Sequence, residues 1–185
     1  METPPSDFPA EPVRLEGQGL VLREWGESDL PDLAELYDDP EISRWTPVAS
    51  PFDEAAARAY LASAREARCA CRRMQWAVTT DGGEPLGEVL LFRAGPDDRD
   101  IEIAYGIGSR FRRRGLAGRA LGLATRYASG RLRARRVLLR IEAGNLASTA
   151  VARSAGFRLT GDALLVREVK GRRVALQTWC HRPSR

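Results

Sequence analysis

The sequence has few of the residues that build metal centres or disulfide frameworks. Its 185 residues include three cysteines, Cys69, Cys71 and Cys180, and one histidine, His181. These are too few for a zinc finger, a histidine-ligated metal site or a disulfide framework, and we expect no metal cofactor. Cys180 and His181 are adjacent, and neighbours on a strand point to opposite faces, so we interpret them as ordinary strand residues and not as a nucleophile with its base.

Long apolar segments are also missing. No run approaches the roughly 20 residues that span a bilayer, and the first 15 residues carry four prolines instead of an apolar signal core. A composition of 43% hydrophobic and 29% charged residues suits one folded domain with a buried core. We therefore predict a cytoplasmic protein without a membrane partner, with a flexible tail over residues 1–12 and a single domain over residues 13–185.

Lysine is nearly absent, since Lys170 is the only one among 29 basic residues. The arginines are unevenly placed, because residues 110–140 contain eleven of them and no aspartate or glutamate. Such a stretch attracts an anion, which can be nucleic acid, an acidic membrane surface or a phosphorylated small molecule. Nucleic-acid modules usually interleave aromatic with basic residues, and only Phe111 and Tyr127 do so here. We therefore do not expect a nucleic-acid partner.

The hydrophobic pattern predicts a mixed α/β fold with elements in the order β-α-α-β-β-β-α-β-α-β-β. The predicted strands lie near residues 20–25, 75–80, 86–92, 101–108, 137–141, 159–169 and 173–180, and the predicted helices near 28–37, 53–69, 115–130 and 145–156.

The strand predicted over residues 101–108 has one nearly bare face. Its large apolar residues alternate strictly, which leaves Glu102, Ala104, Gly106 and Gly108 on the opposite face. Glycine in a strand often marks close approach of another backbone. The bare face therefore indicates either a tight helix contact or a slot for a ligand, next to a single carboxylate.

The segment after this strand leads into a helix start. Free backbone N–H groups at a helix N-terminus, in a glycine-containing turn, form a seat for phosphate. A dinucleotide fingerprint fails because its third glycine would fall at Phe111, and a Walker motif fails because no Lys-Ser/Thr follows Gly115.

The remaining motif, Arg112-x-x-Gly115-x-Ala117, resembles the pyrophosphate loop of the GNAT superfamily of N-acetyltransferases. Other segments resemble its RimJ/RimL type in the same order: Leu20-Val21-Leu22-Arg23, Asp39-Pro40-Glu41-Ile42, Glu102-Ile103-Ala104-Tyr105, Asn145-x-x-Ser148 and Ala155-Gly156-Phe157. The resemblance extends from about Val13 to the C-terminus. It implies the GNAT fold, an α/β (α+β) architecture whose mixed, mostly antiparallel central sheet is splayed between its fourth and fifth strands, with helices on both faces.

The resemblance further implies acetyl-CoA as co-substrate, lying across the splayed gap with its pantetheine arm along the bare strand. Backbone N–H groups and arginine side chains of the loop would hold the pyrophosphate. The cofactor-binding residues implied in this way are Ile107, Arg112, Arg113, Arg114, Gly115, Leu116, Ala117, Gly118 and Asn145. For Asn145, capping of its helix is the alternative.

The implied reaction is direct attack of a neutral amine on the acetyl thioester. Glu102 is the predicted base, with a purely structural ion pair to an arginine as the alternative. The N–H of Ile107 would polarise the thioester carbonyl. Many members supply a tyrosine seven residues after the motif asparagine, but this chain has Ala152 there, so Ser148 is the predicted proton donor to the thiolate, or else only a helix-start residue.

We expect the acceptor to be a protein N-terminal α-amine, whose pKa near 8 leaves part of it neutral at pH 7. The alternative is a small amine such as an antibiotic or a polyamine, because one fold serves many acceptors. From other classes, an arginine-rich nucleic-acid-binding module and an inactive acyl-CoA sensor stay open, as does a homodimer. Candidate acceptor-lining residues are Trp25, Trp45, Glu41, Asp97, Asp98 and Asp100.

Overall fold

The protein is represented by a computed structural model that describes residues 8–95 and 99–182. Fourteen α-helices and β-strands of the described residues follow one another along the chain: β1 (Leu15–Gly17), β2 (Leu20–Arg23), α1 (Leu30–Asp38), α2 (Pro40–Trp45), α3 (Glu54–Cys69), β3 (Arg73–Thr79), β4 (Gly87–Arg93), β5 (Asp100–Ile107), α4 (Leu116–Gly130), β6 (Arg136–Glu142), α5 (Leu146–Ser154), β7 (Arg158–Leu159), β8 (Leu165–Val169) and β9 (Arg172–His181).

The strands form one sheet in the order β1-β2-β3-β4-β5-β6-β9-β7, with β8 paired to β9. Every pairing is antiparallel except that of β5 with β6, which joins residues 100–102 to residues 136–138 and then ends. Beyond this point the two strands diverge and leave a gap. The predicted splayed, mostly antiparallel sheet is confirmed; its fourth and fifth strands are β5 and β6 because the short β1 adds one strand to the count.

Helices cover both faces of the sheet, as predicted. Strand β3 places Trp76 and Val78 in the apolar cluster that includes Leu121 of α4, and places Ala77 in a second cluster with Leu33 of α1. This alternation follows from the period of two in a strand. Each fully buried leucine contributes about 1.5–3 kcal/mol. The first cluster also contains Ile101, Ile103 and Ile107, so it packs β5 against α4.

Three local features differ from the sequence prediction. Helix α2 was not predicted because it has only six residues, although Asp39 caps it by accepting hydrogen bonds from the N–H groups of Glu41 and Ile42. Strand β1 was also missed, since three residues give no periodicity. The strand predicted over residues 159–169 is interrupted, so β7 and β8 are separate elements.

The packed chain begins before residue 13. Phe8 is 1% exposed, belongs to the apolar cluster on the α4 side, and lies under the guanidinium of Arg93 at 5.0 Å. The indole of Trp76 donates to the carbonyl of Val13 at 2.7 Å. Excluding residues 1–12 from the core was therefore wrong at Phe8, because an apolar ring in a proline-rich segment can be buried without regular structure. Residues 1–7 of the predicted tail lie outside the described residues.

Candidate active site

The gap between β5 and β6 opens into a cleft of about 1340 Å³. One end is the loop before α4, the middle is the bare face of β5, and the far wall is built by α2, α3, β4 and β8. The cleft brings together ten of the eleven predicted site residues: Glu102, Ile107, Arg112, Arg113, Gly115, Leu116, Ala117, Gly118, Asn145 and Ser148. The remaining one, Arg114, is not among its lining residues.

The loop before α4 has the conformation of an anion seat. Gly115 adopts φ +69°, in the left-handed region that favours glycine, and nothing lies within 4 Å of the position of a Cβ there. The first backbone bond of the helix runs from the Arg119 N–H to the Gly115 carbonyl, at 3.2 Å. The N–H groups of residues 116–118 precede it and have no partner within the helix, so they are available to an anion in the cleft.

The three arginines of this loop have different surroundings. Arg112 donates to the Ile107 carbonyl at 3.1 Å and to Asp39 Oδ1 at 3.0 Å, which ties the end of β5 to the start of α2. Burial alone would raise the pKa of Asp39, but its hydrogen bonds from Arg112 and from backbone N–H groups lower it. Arg113 is exposed at the cleft with φ +65°. Arg114 donates to the Arg110 carbonyl at 3.4 Å and lies over the ring of Phe111, and it is not among the residues that line the cleft.

Asn145 caps α5, since its Oδ1 accepts from the Ser148 N–H at 3.0 Å. The capping interaction that the sequence offered as an alternative is therefore present. The cap uses the amide oxygen, while the Nδ2 group donates to no protein atom of the described chain. Capping and ligand binding thus use different atoms of one side chain.

Tyr105 is a polar side chain beside Ser148 that sequence reasoning missed. Its hydroxyl donates to the Ser148 carbonyl at 3.3 Å, and burial raises the pKa of Tyr105 to about 12. Ala152, at the position of the absent tyrosine, is fully buried. Tyr105 was overlooked because it falls on the apolar face of the β5 pattern, where an aromatic residue predicts only core.

Glu102 is 4% exposed and ion-paired. Its Oε2 lies 3.2 Å from an Arg167 nitrogen and 3.8 Å from Arg140 Nε, so the carboxylate links β5 to β6 and β8. Burial raises the pKa of Glu102 and the charges of both arginines oppose this rise. The ion pair that the sequence left open as the alternative to catalysis is therefore present.

A second buried carboxylate, Glu88, lines the same cleft and was not predicted. It is 1% exposed, and its oxygens accept hydrogen bonds from Gln75 Nε2 at 2.5 Å, from the Tyr60 hydroxyl at 2.8 Å and from the Tyr37 hydroxyl. Burial raises the pKa of Glu88 despite these donors, and raises the pKa values of both tyrosines. The sequence did carry a signal for Glu88. It alternates along β4 with the core residues Val89 and Leu91, so it lies on the same side of the sheet as the bare face of β5.

The candidate acceptor-lining residues divide into three groups. Glu41 and Trp45 line the cleft. Trp25 is buried in the cluster under α1 and α3, and Asp100 is buried and ion-paired with Arg136, so neither lines it. Asp97 and Asp98 lie outside the described residues.

Two general features concern the part of the chain that the structure describes. No helix there is both long and apolar enough to cross a membrane. No three side chains of His, Cys, Asp or Glu converge in a way that could hold a metal ion.

Comparison with known proteins identifies a family and several solved structures with a similar fold. A family model described as an acetyltransferase (GNAT) domain matches residues 19–158. Among solved structures, RimJ of Mycobacterium smegmatis in complex with CoA-disulfide is 21% identical with a TM-score of 0.77, covering 92% of this chain and 86% of that one. RimL, a ribosomal L7/L12 alpha-N-protein acetyltransferase in complex with coenzyme A, is 18% identical with a TM-score of 0.79, covering 92% and 98%.

A third structure, an acetyltransferase of the GNAT family from Bacillus anthracis, is 15% identical with a TM-score of 0.80, and covers 92% of this chain and 98% of that one. No protein in the curated set matches the sequence significantly. At these identities the solved structures show a shared fold, whereas the family model, which spans most of the chain, shows the family.

Proposed function

Because the chain belongs to the GNAT acetyltransferase family, we propose that it acetylates the α-amine of a polypeptide N-terminus. Acetyltransferases of this family use acetyl-CoA as the acetyl donor, and the chain is an N-acetyltransferase. The proposal concerns the acceptor, the residues that hold CoA and the groups that act in the reaction.

The size and extent of the cleft carry the acceptor assignment. Its volume of about 1340 Å³ exceeds the roughly 300–1,000 Å³ that is usual for a site holding one small molecule, so the cleft can hold two ligands side by side. The cleft continues past β5 to a second wall formed by α2, α3 and β8. It therefore has room for CoA at the α4 end and for the end of a peptide chain at the other. The RimL structure, described as an alpha-N-protein acetyltransferase, gives further support.

The loop before α4 is the proposed seat of the CoA pyrophosphate. The backbone N–H groups from Arg113 to Gly118, at the positive end of the helix dipole, would hold phosphate oxygens. Arg113 is the arginine best placed to add a side-chain contact, because Arg112 is bonded to Asp39 and Arg114 does not line the cleft. Asn145 would donate through its Nδ2 group.

The bare face of β5 is the proposed position of the pantetheine arm. Pairing with β6 ends at Glu102, so the β5 edge beyond it faces the gap. The Gly108 N–H bonds to Leu86 on the β4 side, and backbone groups alternate along a strand, so the preceding N–H of Ile107 points toward the gap. There it would donate to the thioester carbonyl as negative charge develops on the oxygen.

The proposed reaction is direct attack of the neutral amine on the thioester carbonyl. A C–N bond forms, the C–S bond breaks and the thiolate of CoA leaves. Ser148 stays a prediction as the donor to that thiolate. Glu102 stays a prediction as the base. Its ion pairs with Arg140 and Arg167 weaken it in this role, because an ion-paired carboxylate is a weaker proton acceptor than a free one.

A panel of acceptors tests the proposal. The purified protein is incubated with acetyl-CoA and with N-terminal peptides, the same peptides with a blocked α-amine, an aminoglycoside or a polyamine. We expect thiol release and a mass gain of one acetyl group with free N-terminal peptides only. Transfer to the small amines and to none of the peptides would reverse the assignment of the acceptor.

Binding of CoA alone is measured separately from turnover. A ligand selective for the folded state stabilises it by mass action, so CoA should raise the melting temperature in a concentration-dependent way. A cleft without a CoA site would give no such shift.

A further inference from the structure

The cleft contains a second carboxylate in a chemically distinct setting, Glu88. We propose that Glu88 receives the protonated acceptor amine and removes its proton before attack on the thioester. This inference rests on the proposed acetyl transfer and deepens it by assigning the group that meets the acceptor.

The sheet register places Glu88 at the reacting end of β5. In the pairing of β4 with β5, Glu88 lies directly opposite Gly106, whereas Phe92 lies opposite Glu102. Glu88 is thus next to the backbone whose Ile107 N–H would polarise the thioester. Glu102 is four residues further along the strand, a distance of roughly 13 Å at about 3.3 Å per residue.

The space beside Glu88 on this face is open. Gly106 has no side chain, and a Cβ there would meet only Ile42 Cδ1 of α2, at 3.4 Å. Glu88, Tyr37 and Tyr60 all line the cleft around this slot. An amine that enters the slot is therefore bounded by Ile42 on one side and by a carboxylate with two phenols on the other.

The two buried carboxylates have opposite electrostatic surroundings. Glu102 is neutralised by Arg140 and Arg167. Glu88 is held only by neutral donors, and no cation of the described chain forms an ion pair with it. A buried carboxylate without a counter-charge favours a cationic ligand in contact with it, which an ammonium group supplies.

The groups that face Glu88 come from five parts of the chain. Tyr37 is on α1, Tyr60 is on α3, Gln75 is on β3 and the neutral indole of Trp25 follows β2, while β5 contributes Gly106 opposite. Among the described residues, Arg73 of β3 is a charged neighbour of this group, and its charge acts on Tyr60. Burial raises the pKa of Glu88, and this makes the carboxylate a better proton acceptor at neutral pH.

The proton balance closes without any further reactant. The ammonium gives one proton to the Glu88 carboxylate, and the neutral amine attacks the thioester carbon. As the C–S bond breaks, the predicted donor Ser148 gives its hydroxyl proton to the departing thiolate and takes up the second proton from the nitrogen. Glu88 then releases its proton to solvent, so the net products are the acetylated amine, CoA thiol and one proton.

The decisive experiment compares Glu88→Gln with wild type. The variant keeps the shape of the side chain and removes its basicity, so kcat/KM should fall by roughly 10² or more at pH 7, with the loss easing toward pH 9 as the amine deprotonates unaided. The affinity for CoA should stay within about twofold of wild type, because the loop before α4 is untouched. Glu54→Gln is the matched control, since Glu54 is an exposed glutamate paired with Arg58.

Glu102→Gln separates the two carboxylates. If it gives the pH-dependent loss and Glu88→Gln does not, the proposal is overturned in favour of Glu102. Each variant is measured with whichever amine the wild type accepts, so failure of the N-terminal assignment leaves this test intact. A wild-type protein that binds CoA and acetylates no amine at all would overturn both proposals.

Tyr60→Phe gives a second test in case Glu88→Gln does not fold. Removal of one hydrogen bond to Oε2 should raise the pKa of Glu88 further, and the acid limb of the kcat/KM profile should move up by roughly half a pH unit or more. A structural role alone would lower stability without moving that limb. An unshifted limb in a folded Tyr60→Phe protein would refute the role of Glu88.

Discussion

Gly115 offers a direct test of the CoA seat, through substitution by aspartate. The residue adopts φ +69° with nothing within 4 Å of its virtual Cβ, so the new side chain meets no protein atom and only the backbone conformation is strained. A left-handed conformation costs about 1–2 kcal/mol for a residue with a Cβ, and aspartate is at the lower end. For a chain of this size, 1 kcal/mol lowers the melting temperature by about 2–4 °C, so the fold should survive.

The effect on CoA should be much larger than the effect on stability. A carboxylate about 5 Å from a phosphate, at an effective dielectric constant near 20, is repelled by roughly 3 kcal/mol, or about a hundredfold in affinity. The new Cβ also occupies the path of the pyrophosphate toward the backbone. Titration calorimetry with CoA at fixed ionic strength measures the change.

Gly95 is a closely matched control. It has the same φ of +69°, nothing lies within 4 Å of its virtual Cβ, and it does not line the cleft. Gly95→Asp should therefore produce the same strain and the same change in net charge while leaving the affinity for CoA unchanged. Equal affinities for CoA in wild type and Gly115→Asp would refute the loop as the pyrophosphate seat.

Three further outcomes are expected. Ser148→Ala should lower kcat by less than about tenfold, because a thiolate is a tolerable leaving group near neutral pH; a loss above a hundredfold would make Ser148 an essential donor. Asp29→Asn should lower the free energy of unfolding by about 2–3 kcal/mol at pH 7, since it breaks a buried bidentate contact with Arg23. Burial would raise the pKa of Asp29, but hydrogen bonds from Arg23 and Gly26 lower it. The difference in unfolding free energy between wild type and Asp29→Asn should therefore be complete above about pH 5 and vanish as pH falls through the folded-state pKa of Asp29. Urea unfolding at pH 7 and pH 3 measures this difference, and equal values at both would contradict the prediction. Duplex DNA should compete weakly with CoA and lose its effect at physiological salt; salt-resistant binding would restore the nucleic-acid hypothesis.

Several features of the fold follow from local sequence. The alternation in residues 101–107 predicted a strand with one bare face, and Arg112 to Gly118 predicted the helix start, because strand periodicity and helix-start chemistry depend on a few neighbouring residues. Short elements such as α2 fell below the window in which periodicity is visible. The burial of Phe8 was not predicted for a related reason, since a single buried ring produces no hydrophobic periodicity in the sequence.

The roles of individual charges depended on partners far along the chain. The sequence by itself determined the family, the splayed sheet and the loop before α4. Only the tertiary structure brought Arg167, 65 residues away, to Glu102, and Tyr37, 51 residues away, to Glu88. The state of a carboxylate is set by burial and by the charges within a few ångströms of it, and those neighbours come from different helices and strands. The sequence therefore identified Glu102 as an acid on the bare face, while the packing of α1, α3 and β8 decided that it is neutralised and that Glu88 is not.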